Sequence, residues 1–318
     1  MSAVQVSGAL GALVQVTLVV VGGPFLLGVM RQVRAKVEGR AGAGIGQPWR
    51  DLRKLMTKEA IRPEGSSWVF TSAPAVLLGT TLVIAAVVPF VSTLSPFAGV
   101  SDLFAVVALL MLGTVALALA GIDTGTAFGG MGASREVTVL ALAEPTILLA
   151  IFALSSRVGS SNLPDIIEGT LAAPSRVLSP ATVLAAVAFA IVVIAESGRL
   201  PVDNPATHLE LTMMHEAMVL EYSGRDLATV ELASSIRLTV LLGMGANLFV
   251  PWGIATAATP LALAASTVVF GLKVLVLGVA LAVFEVFMAK WRQFRVPELL
   301  AGSFLFGLLA VSAAYYLA

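Results

Sequence analysis

Eight separate stretches of the sequence are apolar over roughly the 20 residues that an α-helix needs to cross a membrane. They cover residues 6–30, 70–90, 102–121, 137–156, 180–195, 233–250, 261–288 and 297–317. The composition agrees, since 58% of the 318 residues are hydrophobic and only 12% are charged. The sequence therefore predicts an all-α integral membrane protein with eight transmembrane helices and excludes a water-soluble globule.

The spacing of these segments favours a single membrane domain over residues 1–318. No interval between them is long enough for a second soluble domain, and no repeat divides the chain into two inverted halves. The first segment is too long, and its N-terminal flank too poor in Lys and Arg, for a cleaved signal peptide. We expect it to remain as a membrane span.

Basic residues are distributed unequally between the two sides of the predicted bundle. The loop after the first segment holds nine and the other loops on that side hold six more, whereas the opposite loops hold only Arg157 and Arg176. Lys and Arg favour the cytoplasmic side, so we expect the first and fifth loops in the cytoplasm and both termini outside the inner membrane. The 19 basic and 19 acidic residues cancel, so no overall field favours nucleic acid.

The sequence contains no cysteine and only two histidines, His208 and His215. Zinc, nickel and iron–sulfur centres that depend on Cys ligands are therefore impossible within this chain. The two histidines would lie about 10 Å apart along a helix, too far to share one metal ion easily. We expect no cofactor in this chain, and any redox metals on another subunit.

The first loop combines a glycine-rich run at 39–46 with an amphipathic segment. No strand pattern precedes the glycines and no Gly-Lys-Ser/Thr follows them, so a flexible loop is favoured over a phosphate site. From Pro48 onward, a helix would place Trp49, Leu52 and Leu55 on one face and basic side chains on the other. This pattern predicts a cytoplasmic helix on the membrane surface, either as a lipid anchor or as a platform for a partner subunit.

The fifth loop is long and acidic. Its acids and those that flank it are Glu196, Asp203, Glu210, Glu216, Glu221, Asp226 and Glu231. Residues 206–220 are long enough for a helix of about four turns. Such a cluster is typical either of a solvated loop or of a funnel that admits protons to a buried path.

Residues 198–224, GRLPVDNPATHLELTMMHEAMVLEYSG, resemble the signature loop of the formate hydrogenlyase subunit 4 and hydrogenase-4 membrane subunit family. This family is the hydrogenase branch of the superfamily that contains respiratory complex I subunit 1. The resemblance extends over essentially the whole chain. It includes the eight segments, AEPT at 143–146, and the first-loop residues Asp51, Lys54, Leu55, Lys58 and Glu59.

The resemblance implies a membrane anchor and coupling subunit of a nickel–iron hydrogenase-type complex, without a catalytic centre of its own. The implied partners are the hydrogenase large and small subunits, a ferredoxin-like iron–sulfur subunit, antiporter-like membrane subunits and the lipid bilayer. The nickel–iron and iron–sulfur centres are expected on those partners. Carried over by position, the motif points to a coupling cluster of Glu196, Arg199, Asp203, Glu210 and Glu221. The candidate contacts to the peripheral arm are Arg199, Asp203, His208 and Glu216.

The same loop departs from the complex I branch. Ala206 and His208 stand where the first two acids after the proline are expected, and three extra residues precede Glu221. These differences weaken the alternative of a quinone-site subunit of a complex I-like NADH dehydrogenase. A free-standing secondary transporter is another alternative, but no inverted repeat supports it.

Ionisable residues within the predicted spans are further candidates for proton coupling, because charge is costly in a membrane. Glu136 and Glu144 are spaced so that both could face one interior seam, unless Glu136 simply marks the end of its helix. Glu144 is the favoured proton carrier because Pro145 locally interrupts the helical hydrogen bonds. In the seventh segment, Lys273 is predicted to pair with an acid on another span, and Glu285 to lie near the cytoplasmic end.

Overall fold

The computed structural model describes residues 3–203, 213–257, 259–289, 291 and 295–316, without the side chains of residues 3–7. Regular structure in these ranges is helical, apart from two isolated bridges that join Ser92 to Ala255 and Asp102 to Asn162. The α-helices are α1 (Ala3–Val37), α2 (Gln47–Met56), α3 (Trp68–Val87), α4 (Leu103–Asp123), α5 (Ala127–Val158), α6 (Leu163–Ala172), α7 (Pro180–Glu196), α8 (His215–Val219), α9 (Gly224–Phe249), α10 (Pro260–Phe287) and α11 (Val296–Tyr316). Short 3₁₀ helices lie at Ala98–Val100 and Pro174–Leu178.

Seven helices of the described part are long and apolar enough to cross a membrane: α1, α3, α4, α5, α9, α10 and α11. They correspond to seven of the eight predicted segments, which confirms a multi-pass, all-α architecture. The remaining segment, 180–195, forms α7, a shorter apolar helix of 17 residues.

Two helices begin earlier than the hydrophobic segments predict. α5 starts at Ala127 rather than at residue 137, and α9 starts at Gly224 rather than at residue 233. Thr126 caps α5 by accepting a backbone N–H at 3.2 Å. Hydropathy marks the lipid-compatible part of a helix, whereas these two helices continue where polar side chains face the protein interior. Their early turns carry Glu136 and Glu231.

α5 and α9 occupy the centre of the bundle. α5 packs against α4, α7 and α11, and α9 packs against α1, α3 and α10. Ile147 and Ile151 of α5, Val192 of α7 and Leu241 of α9 are completely buried. Helix association in a membrane depends mainly on close van der Waals fit, because lipid is as apolar as the side chains. This tightly packed centre holds the polar groups of the bundle in place.

α3 ends inside the bundle, and side chains of other helices bond the backbone beyond it. Gln15 of α1 donates to the Val88 carbonyl at 3.1 Å. Asn247 of α9 donates to the Phe90 carbonyl at 2.8 Å. Backbone polar groups in an apolar setting are costly unless they are hydrogen-bonded. These two side-chain amides therefore stabilise the non-helical backbone that follows α3.

Lys273 of α10 joins the same polar group. Its ammonium donates to Asn247 Oδ1 at 3.3 Å and to the Val250 carbonyl at 2.5 Å. The structure contradicts the predicted pairing with an acid, since no described carboxylate lies within 4.0 Å of this ammonium. The physical reason is that the carbonyl at the end of α9 and the amide oxygen satisfy the cation.

The first loop is ordered by local hydrogen bonds. Gln32 donates to the Ala41 carbonyl and accepts the Gly44 N–H, both at 2.9 Å. These bonds close the glycine-rich run, which is not helical, and α2 follows it. α2 confirms the helix predicted from Pro48 onward.

The first and fifth loops meet at the end of the bundle that bears the basic loops. Ser223 accepts the Ile61 N–H at 2.8 Å and donates to the Ile61 carbonyl at 3.0 Å. The Tyr222 ring stacks on Phe70 with centroids 4.1 Å apart, and its hydroxyl donates to the Phe70 carbonyl at 2.8 Å. We call these paired contacts of Ile61 with Ser223 and of Phe70 with Tyr222 the loop clasp.

The continuous helix predicted over 206–220 is wrong. Met213 and Met214 are not helical, and α8 covers only His215–Val219, while residues 204–212 lie outside the described part. The cause is Asp203, whose carboxylate accepts the N–H groups of Met214 at 3.1 Å and His215 at 3.3 Å. This contact fixes the start of a new, short helix.

Candidate functional site

A cavity of about 380 Å³ opens among α1, α5, α7, α8, α9 and α10. Its lining is unusually rich in ionisable side chains for a membrane protein. These are Arg31, Arg34, Glu136, Glu196, Arg199, Asp203, His215, Glu216, Glu231, Arg237 and Glu285. Charged groups in a bundle interior are costly unless they pair or contact water, so this concentration marks a candidate site.

Arg237 lies at the inner end of the cavity. From Gly224, where α9 begins, the helix rises about 20 Å to this residue. The Arg237 guanidinium lies 2.5 Å from a Glu196 oxygen and 3.9 Å from a Glu144 oxygen. It also donates to the Leu110 carbonyl of α4 at 3.1 Å. One cation therefore ties together four helices.

Glu144 is a buried acid that contacts the same guanidinium. Only 4% of the residue is exposed. Neither of its carboxyl oxygens has a hydrogen-bond partner among the described residues. A buried carboxylate without hydrogen bonds is costly, so its neutral, protonated form is favoured. Such a group suits proton storage better than structural pairing.

Glu285 forms a second charge cluster, nearer the basic loops. Its carboxylate lies 3.3 Å from Arg199 and 3.9 Å from Arg34. The backbone N–H of Trp291 donates to the Pro201 carbonyl at 3.0 Å in the same region. Burial lowers the pKa of Arg199, and the adjacent Glu285 carboxylate opposes that shift. The fifth loop is thereby tied to the ends of α1 and α10.

α8 brings two titratable side chains to the mouth of the cavity. Burial lowers the pKa of His215, and the nearby Asp203 carboxylate opposes the effect. Desolvation raises the pKa of Glu216 to about 7, and the charges of Glu231 and Asp203 add to the rise. The mouth of the cavity therefore contains one carboxyl group, Glu216, that changes charge near neutral pH.

The structure brings together most of the residues selected from the sequence. Those that line the cavity are Glu136, Glu196, Arg199, Asp203, Glu216 and Glu285, and Glu144 contacts its Arg237. Glu221 does not line the cavity but precedes the loop clasp. His208 and Glu210 lie outside the described residues.

Sequence analysis did not select five ionisable residues of this cavity, namely Arg31, Arg34, His215, Glu231 and Arg237. A signal for Arg237 was available, because it and Lys273 are the two basic residues inside the predicted spans. Arg31 and Arg34 carried no such signal, since they are two among nine basic residues of one loop.

The fold and the site define a class: a multi-pass membrane protein whose interior holds a cavity lined by charged residues. Within the described residues, no group of three His, Asp or Glu side chains is placed to hold a metal ion. The family model described as NADH dehydrogenase matches residues 10–315, and the chain belongs to this family.

Two curated relatives from Escherichia coli (strain K12) match most of the chain. Hydrogenase-4 component C is 36% identical over 282 residues, which is 88% of each sequence. Formate hydrogenlyase subunit 4 is 33% identical over 298 residues, 94% of this chain and 96% of that protein. These matches confirm the resemblance noted in the fifth loop.

A solved structure shares the fold. A chain in the structure of the membrane-bound sulfane sulfur reductase, an archaeal respiratory membrane complex, aligns with a TM-score of 0.79 at 20% identity. The alignment covers 96% of this chain and 98% of that chain. The two chains therefore share the helical arrangement. At 20% identity, this likeness shows a common fold alone.

Proposed function

We propose that this chain is the membrane anchor and coupling subunit of a formate-hydrogenlyase or hydrogenase-4-like complex. The observation that carries the proposal is the buried line of charged residues from the fifth loop to Glu144, in a chain similar to two hydrogenase-system subunits. Nickel–iron and iron–sulfur centres would belong to the hydrogenase large and small subunits and a ferredoxin-like subunit. This chain would seat them and contact antiporter-like membrane subunits.

The fifth loop is the proposed junction with the peripheral arm. Arg199 and Asp203 are both largely buried and fix the loop against α10 and α8. A change in the arm that moves this loop would therefore reach the two charge clusters directly. His208 and Glu216 are further proposed contacts on the same segment.

The proposed proton path begins at the basic side and ends at Glu144. Glu216, Glu231, Glu136 and Glu196 line the cavity on the way to Arg237. Acids and water in a polar cavity can pass protons between helices at low cost. On this proposal, α7 completes an eight-span bundle, since 17 residues are near the minimum that crosses the hydrocarbon.

A second candidate function is quinone binding, favoured by a side cavity of about 140 Å³. Its apolar wall includes Pro24, Leu27, Leu52 and Leu55, and it shares Arg31 and Glu231 with the main cavity. An apolar wall beside charged groups is a common design for binding a small, partly polar ligand. A change in the redox behaviour of the purified complex on adding quinone would favour this candidate.

Purification in mild detergent through an affinity tag on this subunit tests the main proposal. Mass spectrometry should identify hydrogenase-type subunits in fixed proportion, and metal analysis should find nickel. Arg62→Ala should leave this recovery unchanged, because its ion pair with Asp226 lies outside the cavity. Recovery of an active homo-oligomer without redox subunits would contradict the proposal and favour a transporter.

A further inference from the structure

Two buried carboxylates share a single guanidinium at the inner end of the cavity. Arg237 Nη2 lies 2.5 Å from Glu196 Oε2 and 3.9 Å from Glu144 Oε1. Arg237 is 9% exposed at its side chain, and the two acids are 3% and 5% exposed. Sequence analysis selected both acids but not the cation between them.

One positive charge cannot neutralise two carboxylates in a low-dielectric interior. An unpaired buried charge costs several kcal/mol, so the stable arrangement has one ionised acid and one protonated acid. The contacts show which is which. Glu196 receives the close, charge-assisted bond, while both oxygens of Glu144 lack hydrogen-bond partners among the described residues.

The guanidinium is also held in a way that permits a small swing. Its Nη1 nitrogen donates to the Leu110 carbonyl at 3.1 Å, whereas Nη2 carries the contacts to both acids. Gly113 lets α4 pass close to the guanidinium, since a Cβ atom at that position would lie 3.5 Å from Nη1 and 2.9 Å from Thr80 Oγ1. Rotation about the Leu110 contact would bring Nη2 towards Glu144 and away from Glu196.

We infer that Arg237 is a positioning residue that determines which of Glu144 and Glu196 carries a proton. When Nη2 moves to Glu144, the O–H bond of Glu144 breaks and an O–H bond forms on Glu196. The cluster keeps the same total charge, so the exchange avoids the cost of a free buried charge. This inference rests on the proposed proton-coupling function and assigns it a switching step.

Other charged groups face the same cavity. They are Glu136 on α5, Arg31 and Arg34 on α1, Glu231 on α9, Arg199 and Asp203 after α7, His215 and Glu216 on α8, and Glu285 on α10. Arg199 and Arg34 already pair with Glu285, which leaves Arg237 as the described cation in contact with Glu144 and Glu196.

Four variants of the complex test the inference: Arg237→Met, Glu196→Gln combined with Arg237→Met, Arg237→Lys, and Arg157→Gln as a control. Arg157 is a matched control because it lies at the other end of α5, where it donates to Ser179 and Thr182 outside the cavity. Infrared difference spectroscopy measures protonated carboxyl groups, and sealed vesicles measure proton movement per turnover.

Arg237→Met should gain one protonated-carboxyl band relative to the parent, because both acids lose their counter-charge. The added Glu196→Gln change should remove that band and keep assembly, yet coupled proton movement should be lost. Arg237→Lys should keep assembly and lose most of the coupling, because a single ammonium lacks the fork that holds Leu110 and both acids. The control should match the parent in every assay.

An unchanged carboxyl spectrum in Arg237→Met would overturn the inference. So would full coupled proton movement in the double variant, or failure of the double variant to assemble, which would assign Arg237 a structural role. Failure of the proposed function itself has a different signature. In that case the parent complex would move no protons, while the infrared comparison would still report on Arg237.

Discussion

At the scale of single residues, Glu285 is a buried acid whose role depends on the arginines around it. The carboxylate is almost completely buried, and two arginines from different parts of the chain surround it. Such a pair is worth little as a gain in stability over an apolar replacement, but removal of one partner leaves a buried charge. The pair therefore works as a fixed link between the fifth loop and α10.

Arg199→Ala should weaken this link. Only Arg34, at 3.9 Å, would remain beside Glu285, so we expect a loss of about 3 kcal/mol in the stability of the region and looser attachment of the peripheral arm. Asp203→Ala should loosen the arm in the same way through the start of α8. Co-purification of the arm and thermal melting measure both effects. Normal assembly and turnover in both variants would show that the fifth loop is not the junction.

Glu144→Gln tests the proton-carrying role directly. The substitution keeps the size of the side chain but removes its titration, so assembly should survive while proton movement per hydrogenase turnover falls. Turnover and pH change are measured together in sealed vesicles. Full coupled proton movement would eliminate Glu144 as an obligatory carrier, and loss of the assembled complex would indicate a structural role instead.

Glu216 should make stability depend on pH. Its pKa is about 7 in the folded protein and 4.5 in the reference state, so the folded chain binds the extra proton between these values. Stability should therefore fall as pH rises from about 4.5 to 7. Glu216→Gln should flatten this slope and raise stability at pH 8 by about 1–2 kcal/mol, since the half-buried carboxyl retains part of its hydration. Melting temperatures across this range measure the change, and parallel curves would contradict it.

At the scale of elements, the loop clasp depends on the start of α9. Gly224 has a φ of +51°, and a Cβ atom there would lie 2.2 Å from the Glu59 carbonyl oxygen. Gly65 also has a positive φ, of +86°, but a Cβ atom there would meet nothing within 4 Å. Alanine at Gly65 would therefore add backbone strain alone, whereas alanine at Gly224 would add both strain and a steric clash.

Gly224→Ala should open the loop clasp, whereas Gly65→Ala should cost only the strain of a left-handed residue, about 1 kcal/mol. We expect a loss of several kcal/mol for Gly224→Ala, because a backbone carbonyl cannot give way as a flexible side chain can. Limited proteolysis of the first loop and melting temperature measure the difference. Equal effects of the two substitutions would show that the contact with Glu59 is not needed.

The sequence predicted the long helices that are surrounded mainly by lipid or by apolar side chains. Residues that face lipid must be apolar, so the long spans could be located from hydropathy. The starts of α5 and α9 could not, because polar side chains of their early turns, Glu136 and Glu231, line the interior cavity. The helix expected over 206–220 failed for a related reason: the Asp203 carboxylate, a side chain outside that segment, fixes its local structure.

The sequence also predicted only part of the candidate site. Glu136 and Glu144 are predicted from the sequence because acids are rare in spans, whereas the importance of Arg237 follows from the four helices that meet at its guanidinium. Lys273 shows the opposite case. It had the same sequence signal as Arg237, but neutral oxygens of Asn247 and Val250 satisfy it.

At the scale of the whole molecule, the unequal distribution of basic loop residues predicts the orientation in the membrane. Tags at both termini should be accessible from outside the cell. A tag inserted near Ala41 should be protected until the cytoplasmic face is opened. Protease protection in intact cells and inverted vesicles measures both, and external labelling near Ala41 in intact cells would refute the orientation.

The depth of the charged cavity also determines where a membrane potential acts on the protein. A voltage falls across low-dielectric material rather than across a water-accessible space, and this cavity reaches Arg237 from the side of the basic loops. Most of the voltage therefore lies between Arg237 and the opposite ends of α7 and α9. Moving one elementary charge through the whole field costs about 2.3 kcal/mol per 100 mV. On the proposed function, a proton that passes between Glu144 and Glu196 crosses little of that field, so this exchange should depend only weakly on the membrane potential.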